Sequence, residues 1–200
     1  IIIRRMDIIT RSMIDDTIAC MEGKCNSASV VHRDVDVNRL YYLGFRVIKN
    51  AMEDPTLMNK LKTTHWRLSS DRRILSRIEE IADRQKRTCR TLAEAGFNES
   101  ALKYLKEISV EIKERYNDAM KAYYTNDKKI AYDIEITSKG ITEKCDKFLI
   151  DIGNEICMIC QQKLKSNAAV SSHKKSANGN LVSSPATIIV SASRIAEYTK

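Results

Sequence analysis

Apolar residues recur every three to four positions along most of this chain, which is the spacing of one face of an α-helix. In the first half, the pattern is interrupted at Gly23, at Asp54-Pro55 and at Gly96. Glycine after an apolar segment favours helix termination, and the residue before a proline avoids the helical conformation. The interruptions therefore predict three helices, which cover residues 8–21, about 26–51, and 58 or 64 to 95.

The second half opens with Asn98-Glu99, a pair typical of a helix N-cap followed by an acidic first turn. Asn126-Asp127 is a second such break. The segment 166–185 is rich in Ser, Asn, Ala and Lys and is expected to be a flexible loop. Three further helices are predicted at residues 98–124, at 127–165, and from about 186 to the end of the sequence, where the last helix is expected to be truncated.

The two halves resemble each other in sequence, which indicates an internal duplication. Ile74-Leu75 followed by Ile81-Ala82-Asp83 corresponds without a gap to Ile188-Ile189 followed by Ile195-Ala196-Glu197. We therefore predict an all-α protein of two tandem three-helix bundles. The first repeat is expected at residues 1–97 and the second at residues 98–200.

The composition agrees with long helices, because only six glycines and two prolines occur among 200 residues. The net charge is +8, and the densest basic run extends from Arg67 to Arg90. Such a run is usually a solvated helix face, and an anionic partner is the alternative. No stretch reaches the roughly 18 uninterrupted apolar residues of a membrane span. These features favour a cytoplasmic protein that is at most peripheral to a membrane.

Six cysteines occur, too sparsely for the disulfide framework of a small secreted protein. Cys157 and Cys160 form a CxxC motif, but no second pair or histidine stands near it to complete a four-ligand zinc site. We therefore expect reduced, mostly buried thiols, with a redox or metal role as the alternative. The cysteines are Cys20, Cys25, Cys89, Cys145, Cys157 and Cys160.

Two predicted helices carry polar oxygen ligands four residues apart, a spacing that places both on one helix face. Asp34 and Asn38 lie on the second helix, and Glu79 and Asp83 lie on the third. If these faces meet, three carboxylates and an amide converge, and such oxygen ligands suit hard cations, iron or manganese. The alternative is a set of solvent-facing acids near arginines.

The segments around these residues resemble the PhoU family of phosphate-uptake regulators. Residues 30–43, VVHRDVDVNRLYYL, resemble the archaeal pattern V-I-E-R-D-x-E-V-D-R-L-Y-x-L. Residues 73–83, RILSRIEEIAD, resemble the family's L-E-R-I-A-D-H segment. The similarity extends over nearly the whole chain, and it implies a fold of two three-helix repeats.

The resemblance also implies metal ligands, because ExxxD-type motifs hold multinuclear iron or zinc clusters in some PhoU proteins. Carried over by position, the first site falls on Asp34, Asn38, Glu79 and Asp83. Asn38 replaces a usual aspartate and is a weaker ligand, whereas His32 replaces a usual glutamate and is a further candidate ligand. The second repeat keeps one carboxylate, so no metal is expected at its equivalent positions, which are Ser138, Thr142, Ser193 and Glu197.

PhoU proteins are regulators, and the resemblance implies restraint of phosphate uptake through contact with the phosphate transporter ATPase or a sensor kinase. Many archaeal relatives carry an AbrB-type hairpin domain before the repeats and act on transcription. Because this sequence lacks an initiator methionine, a missing N-terminal domain that binds DNA is a further expectation. A homodimer is compatible with such a bundle.

No nucleophile–base pair, phosphate-binding glycine loop or dinucleotide fingerprint occurs, so enzyme activity is not expected. Two alternatives to the regulator stay open. One is a carboxylate-rich helical bundle whose main role is metal binding. The other is an interaction scaffold that has lost its metal.

Overall fold

The computed structural model describes residues 1–94 and 97–166 of the chain. All regular secondary structure within these residues is α-helical, which confirms the predicted all-α class. Its helices are α1 (Ile2–Met21), α2 (Ser27–Glu53), α3 (Pro55–Lys60), α4 (His65–Glu94), α5 (Glu99–Thr125) and α6 (Lys128–Ser166). Nearly all of the predicted loop 166–185 and the predicted helix from Ala186 lie outside the described residues.

The helices after α1 begin where short polar side chains can accept hydrogen bonds from the first free backbone N–H groups. The side chain of Asn26 accepts from the N–H of Ser29 at the start of α2. Asn98 accepts from Ala101 at the start of α5, at 2.7 Å. Asp127 caps α6 in the same way. These caps confirm three helix starts that the sequence predicts.

The connection between α2 and α4 differs from the prediction, because it contains a separate short helix. The carboxylate of Asp54 accepts from the N–H of Thr56, and Pro55 occupies the first turn of α3, where its fixed φ angle favours a helix. The chain then turns through Lys62, which has a φ of 50°. The described residues therefore contain six helices because α3 is present in addition to the predicted ones. The predicted C-terminal helix is not among these six.

Helices α1, α2 and α4 pack against one another around a common apolar core, and α5 packs against both α1 and α6. Gly44 permits Leu75 of α4 to pack closely against α2, because a Cβ atom at Gly44 would stand 2.8 Å from Cδ1 of Leu75. The first three long helices thus form one packed unit. The second three-helix bundle and the internal duplication remain predictions, since their last helix lies beyond the described residues.

A buried polar network joins α1 to α5. Asp7 is buried and accepts hydrogen bonds from the guanidinium of Arg11, at 2.8 Å, and from the hydroxyl of Tyr124, at 3.0 Å. Arg11 also donates to the side-chain oxygen of Asn117 at 2.6 Å. Burial beside this carboxylate raises the pKa of the Tyr116 hydroxyl well above its ordinary value. The network fixes how α5 is oriented on the first three-helix unit.

Candidate functional site

The four predicted ligand residues lie on facing surfaces of α2 and α4. Asp34 is buried, while Asn38, Glu79 and Asp83 are partly buried. The amide of Asn38 donates to Oδ2 of Asp34 at 3.3 Å. Glu79 lies close enough to Asp83 and Asp34 for their negative charges to act on it. The helical spacing thus predicted the partners within each helix, and the packing of α2 on α4 brings the two pairs together.

The centre of this group is occupied by a lysine. The ammonium of Lys86 lies 2.8 Å from Oδ2 of Asp34 and 2.8 Å from Oδ1 of Asp83. Arg87 contacts the other oxygen of Asp83 at 2.7 Å. A side-chain cation of the protein therefore balances the carboxylates that were predicted to hold a metal. Lys86 was not among the predicted site residues.

The proton affinities of the group follow from this arrangement. Burial raises the pKa of Glu79, and the nearby charges of Asp83 and Asp34 raise it further. Burial would also raise the pKa of Asp83, but the hydrogen bond and charge of Lys86 outweigh burial and lower it. Burial would lower the pKa of Lys86, yet its two carboxylate partners raise it. The cluster therefore favours the ionised forms of Asp83 and Lys86 and disfavours ionisation of Glu79.

The further candidate ligand His32 lies apart from this cluster, as do the described second-repeat positions Ser138 and Thr142, where no metal was expected. His32 is exposed, because it precedes the buried Asp34 by two positions and residues so spaced do not share a helix face. In the second repeat, the hydroxyls of Ser138 and Thr142 donate to backbone carbonyls of their own helix, α6. Ser193 and Glu197 lie outside the described residues, so the expectation of an empty second site stays a prediction.

Several cations of the basic run on α4 have partners within the fold. Arg67 contacts Asp71 at 3.1 Å and stands over the ring of Tyr123. Arg72 stands over the ring of Phe45, 4.8 Å from its centroid. Together with Lys86, these residues show that part of the run fastens α4 to its neighbours. Part of the positive charge of the run is therefore already engaged in contacts within the protein.

A second group of reactive side chains, which the sequence analysis did not single out, lies near the end of α1. Cys20 and Cys25 are joined as a disulfide across the turn at Gly23. The sulfur of Cys89, on α4, lies 3.0 Å from that of Cys20 and 3.8 Å from that of Cys25. The expectation of reduced cysteines is therefore wrong for Cys20 and Cys25.

This cysteine cluster consists of Cys20, Cys25 and Cys89. In the part of the chain that the structure describes, it is the one group of three or more His, Cys, Asp or Glu residues whose ligand atoms all lie within 4.8 Å of one another. Cys20 and Cys89 are buried and Cys25 is exposed. Burial raises the pKa of Cys89, and the nearby charge of Asp16 adds to the effect. The sequence did contain an indication that Cys20 and Cys25 lie close together, because they flank the helix break that is predicted at Gly23.

No helix among the described residues is both long and apolar enough to cross a membrane. Comparison of the chain with models of protein families, with curated proteins and with solved structures gave no match.

Proposed function

We propose that this protein is a PhoU-type regulator of phosphate uptake that acts by binding other proteins. In this proposal its partner is the phosphate transporter ATPase or a sensor kinase on the cytoplasmic side of the membrane. No step is catalytic: the helical surface docks on the partner, and the phosphate status of the cell governs the docking. DNA becomes a partner if a DNA-binding domain precedes residue 1.

The observation that carries this proposal is the convergence of the two PhoU-like segments. Residues 30–43 lie on α2 and residues 73–83 lie on α4, and Asp34 of the first meets Asp83 of the second through Lys86. The packing of α2 on α4 brings the two segments together although they are 49 positions apart in the sequence. Their meeting supports a common ancestry with the two-helix site of PhoU proteins.

The same cluster favours a metal-free form of the regulator over a carboxylate metal bundle. A divalent cation at Asp34 and Asp83 would have to displace the ammonium of Lys86 from two charge-assisted hydrogen bonds, which are among the stronger contacts in proteins. Asn38 adds a neutral ligand where the PhoU pattern has a charged one. We infer that the cluster serves as a rigid cross-link between α2 and α4.

Binding requires a surface, and α2 offers one. Its outer patch consists of Val35, Tyr42, Leu43 and Val47, all of which are exposed. The basic side chains of Arg46 and of Arg39, which contacts Asp36 at 3.4 Å, are exposed on the same helix as well. Exposed apolar groups rimmed by charge are a common feature of protein-binding sites. The outer patch therefore fits an acidic partner surface with apolar side chains.

The test is a binding measurement between the purified full-length protein and the purified ATPase subunit or sensor kinase from the same organism. We expect Tyr42→Ala with Leu43→Ala to weaken binding at least tenfold, because these side chains supply the apolar contact. Tyr132→Ala on α6 is the matched control, since Tyr132 is about as exposed as Tyr42. If the unaltered protein binds neither partner nor promoter DNA, the proposal fails.

The metal-binding bundle remains the second candidate, and elemental analysis separates it from the regulator. Protein purified without chelator should contain no stoichiometric iron or zinc that depends on Glu79 and Asp83. Stoichiometric metal that is lost in both Glu79→Ala and Asp83→Ala would instead favour the metal-binding bundle.

A further inference from the structure

The cysteine cluster brings together three sulfurs from three separate parts of the first helical unit. Cys20 lies in the last turn of α1, Cys25 in the connection to α2, and Cys89 near the end of α4. Their sulfurs converge although Cys20 and Cys89 are 69 positions apart in the sequence. Burial of cysteine as a small apolar residue does not require such convergence.

The position of Cys89 does not suit attack on the disulfide. Thiol–disulfide exchange proceeds when a thiolate attacks one sulfur in line with the bond to the other. A sulfur placed 3.0 Å from Cys20 in that line would stand about 5 Å from Cys25, given a standard S–S bond of about 2.0 Å. The observed Cys25–Cys89 distance is 3.8 Å. Cys89 thus lies beside the bond and not behind it.

The same position suits a shared metal ion. Two thiolates bound to one tetrahedral zinc ion at about 2.3 Å each stand about 3.8 Å apart. The Cys25–Cys89 distance of 3.8 Å already has this value, and the Cys20–Cys89 distance of 3.0 Å needs to widen by less than 1 Å. The sulfurs of Cys20 and Cys25 are bonded, so they must separate to the same spacing after the bond is reduced. Cys25 is exposed, which gives a metal ion an entry path and leaves room for water as a fourth ligand.

We propose that the reduced form of this protein binds one zinc ion through the thiolates of Cys20, Cys25 and Cys89. A thiol or phosphine reductant first delivers two electrons and two protons to the Cys20–Cys25 bond. The zinc ion then replaces the three thiol protons, which are released to solvent. Three thiolates favour zinc over magnesium, calcium or manganese, because those cations prefer oxygen ligands. The bound ion fastens the turn between α1 and α2 to α4.

The test uses the full chain, reduced with a phosphine and titrated with cobalt(II), which replaces zinc and absorbs in the near ultraviolet when bound by thiolates. We expect one equivalent of cobalt per chain and displacement of the cobalt by zinc. Cys25→Ala should lose the absorption band. Because Cys25 is exposed, this substitution should not disturb folding. Cys89→Ala removes a buried ligand and provides a second test of the metal site.

Two matched controls identify the ligands. Cys145→Ala removes a free buried thiol of α6 and should leave the band unchanged. The double variant Cys157→Ala with Cys160→Ala removes the CxxC motif and should also leave it unchanged. The proposal is overturned if reduced protein with free thiols shows no band, if Cys25→Ala keeps the band, or if the CxxC variant loses it. None of these readouts depends on partner binding, so the proposed regulatory function is tested separately.

Discussion

Replacing Lys86 with methionine tests whether the internal ammonium holds α2 and α4 together. Methionine keeps the unbranched length of the side chain and removes its charge. The substitution takes away both contacts of 2.8 Å, to Asp34 and to Asp83. It leaves the carboxylate of Asp34, whose side chain is only 7% exposed, without its cationic partner. The expected result is a less stable protein.

The size of the effect follows from burial. Removing one partner of a fully buried ion pair costs about 3–5 kcal/mol, whereas an exposed pair contributes about 0–1 kcal/mol. The Lys86 side chain is 18% exposed, so it lies nearer the buried case. We expect a loss of about 2–3 kcal/mol in the free energy of unfolding. For a chain of this length that corresponds to a fall in Tm of roughly 5–10 °C.

The assay is thermal and urea-induced unfolding followed by circular dichroism at neutral pH. Arg87→Met is the matched control, because Arg87 contacts the same Asp83 at 2.7 Å from the same helix but is 60% exposed. It should cost no more than about 0.5 kcal/mol. Similar losses in the two variants, or a Lys86→Met protein as stable as the unaltered one, would refute the structural role assigned to Lys86.

Two further predictions concern single positions. Glu79→Gln should stabilise the protein at pH 7 by a few tenths of a kcal/mol after allowance for solvent screening. The pKa of Glu79 is raised in the folded state, so ionisation of Glu79 destabilises the fold above that pKa. The gain should disappear below about pH 4, where the glutamate is neutral in both the folded and the unfolded state. A gain that persists there would contradict this reasoning. Gly140→Ala should raise the free energy of unfolding by about 0.5–1 kcal/mol, because its new Cβ would meet nothing within 4 Å. Gly44→Ala should lower the free energy of unfolding by about 1 kcal/mol, because its Cβ would crowd α4 at 2.8 Å. Equal changes in Tm for the two variants would refute the close packing at Gly44.

Local sequence was sufficient for the helices, because the groups that start and end them are neighbours in the chain. Asn26 bonds to a backbone N–H three residues later, and so does Asn98. The apolar spacing likewise identified buried faces, such as Ile74 and Ile78 on α4. The short helix α3 was missed because six residues are too few for a periodic pattern.

The candidate site was predictable only in part. Helical spacing placed Asp34 with Asn38, and Glu79 with Asp83, since four positions make a little more than one turn. It could not show that Lys86 joins the two pairs, because that depends on how α2 and α4 are rotated and how deeply they pack. The same limit applies to Cys89, whose sulfur reaches Cys20 only through the packing of α4 against α1.

The sequence by itself thus determined that the chain is helical, where most described helices begin and end, and which polar residues share a helix face. Each of these properties depends on hydrogen bonds and side chains within about one helical turn. The tertiary structure decided that an ammonium occupies the carboxylate cluster and that three cysteines converge at the end of α1. Those contacts join residues about 50 to 70 positions apart, so they exist only once the helices have packed.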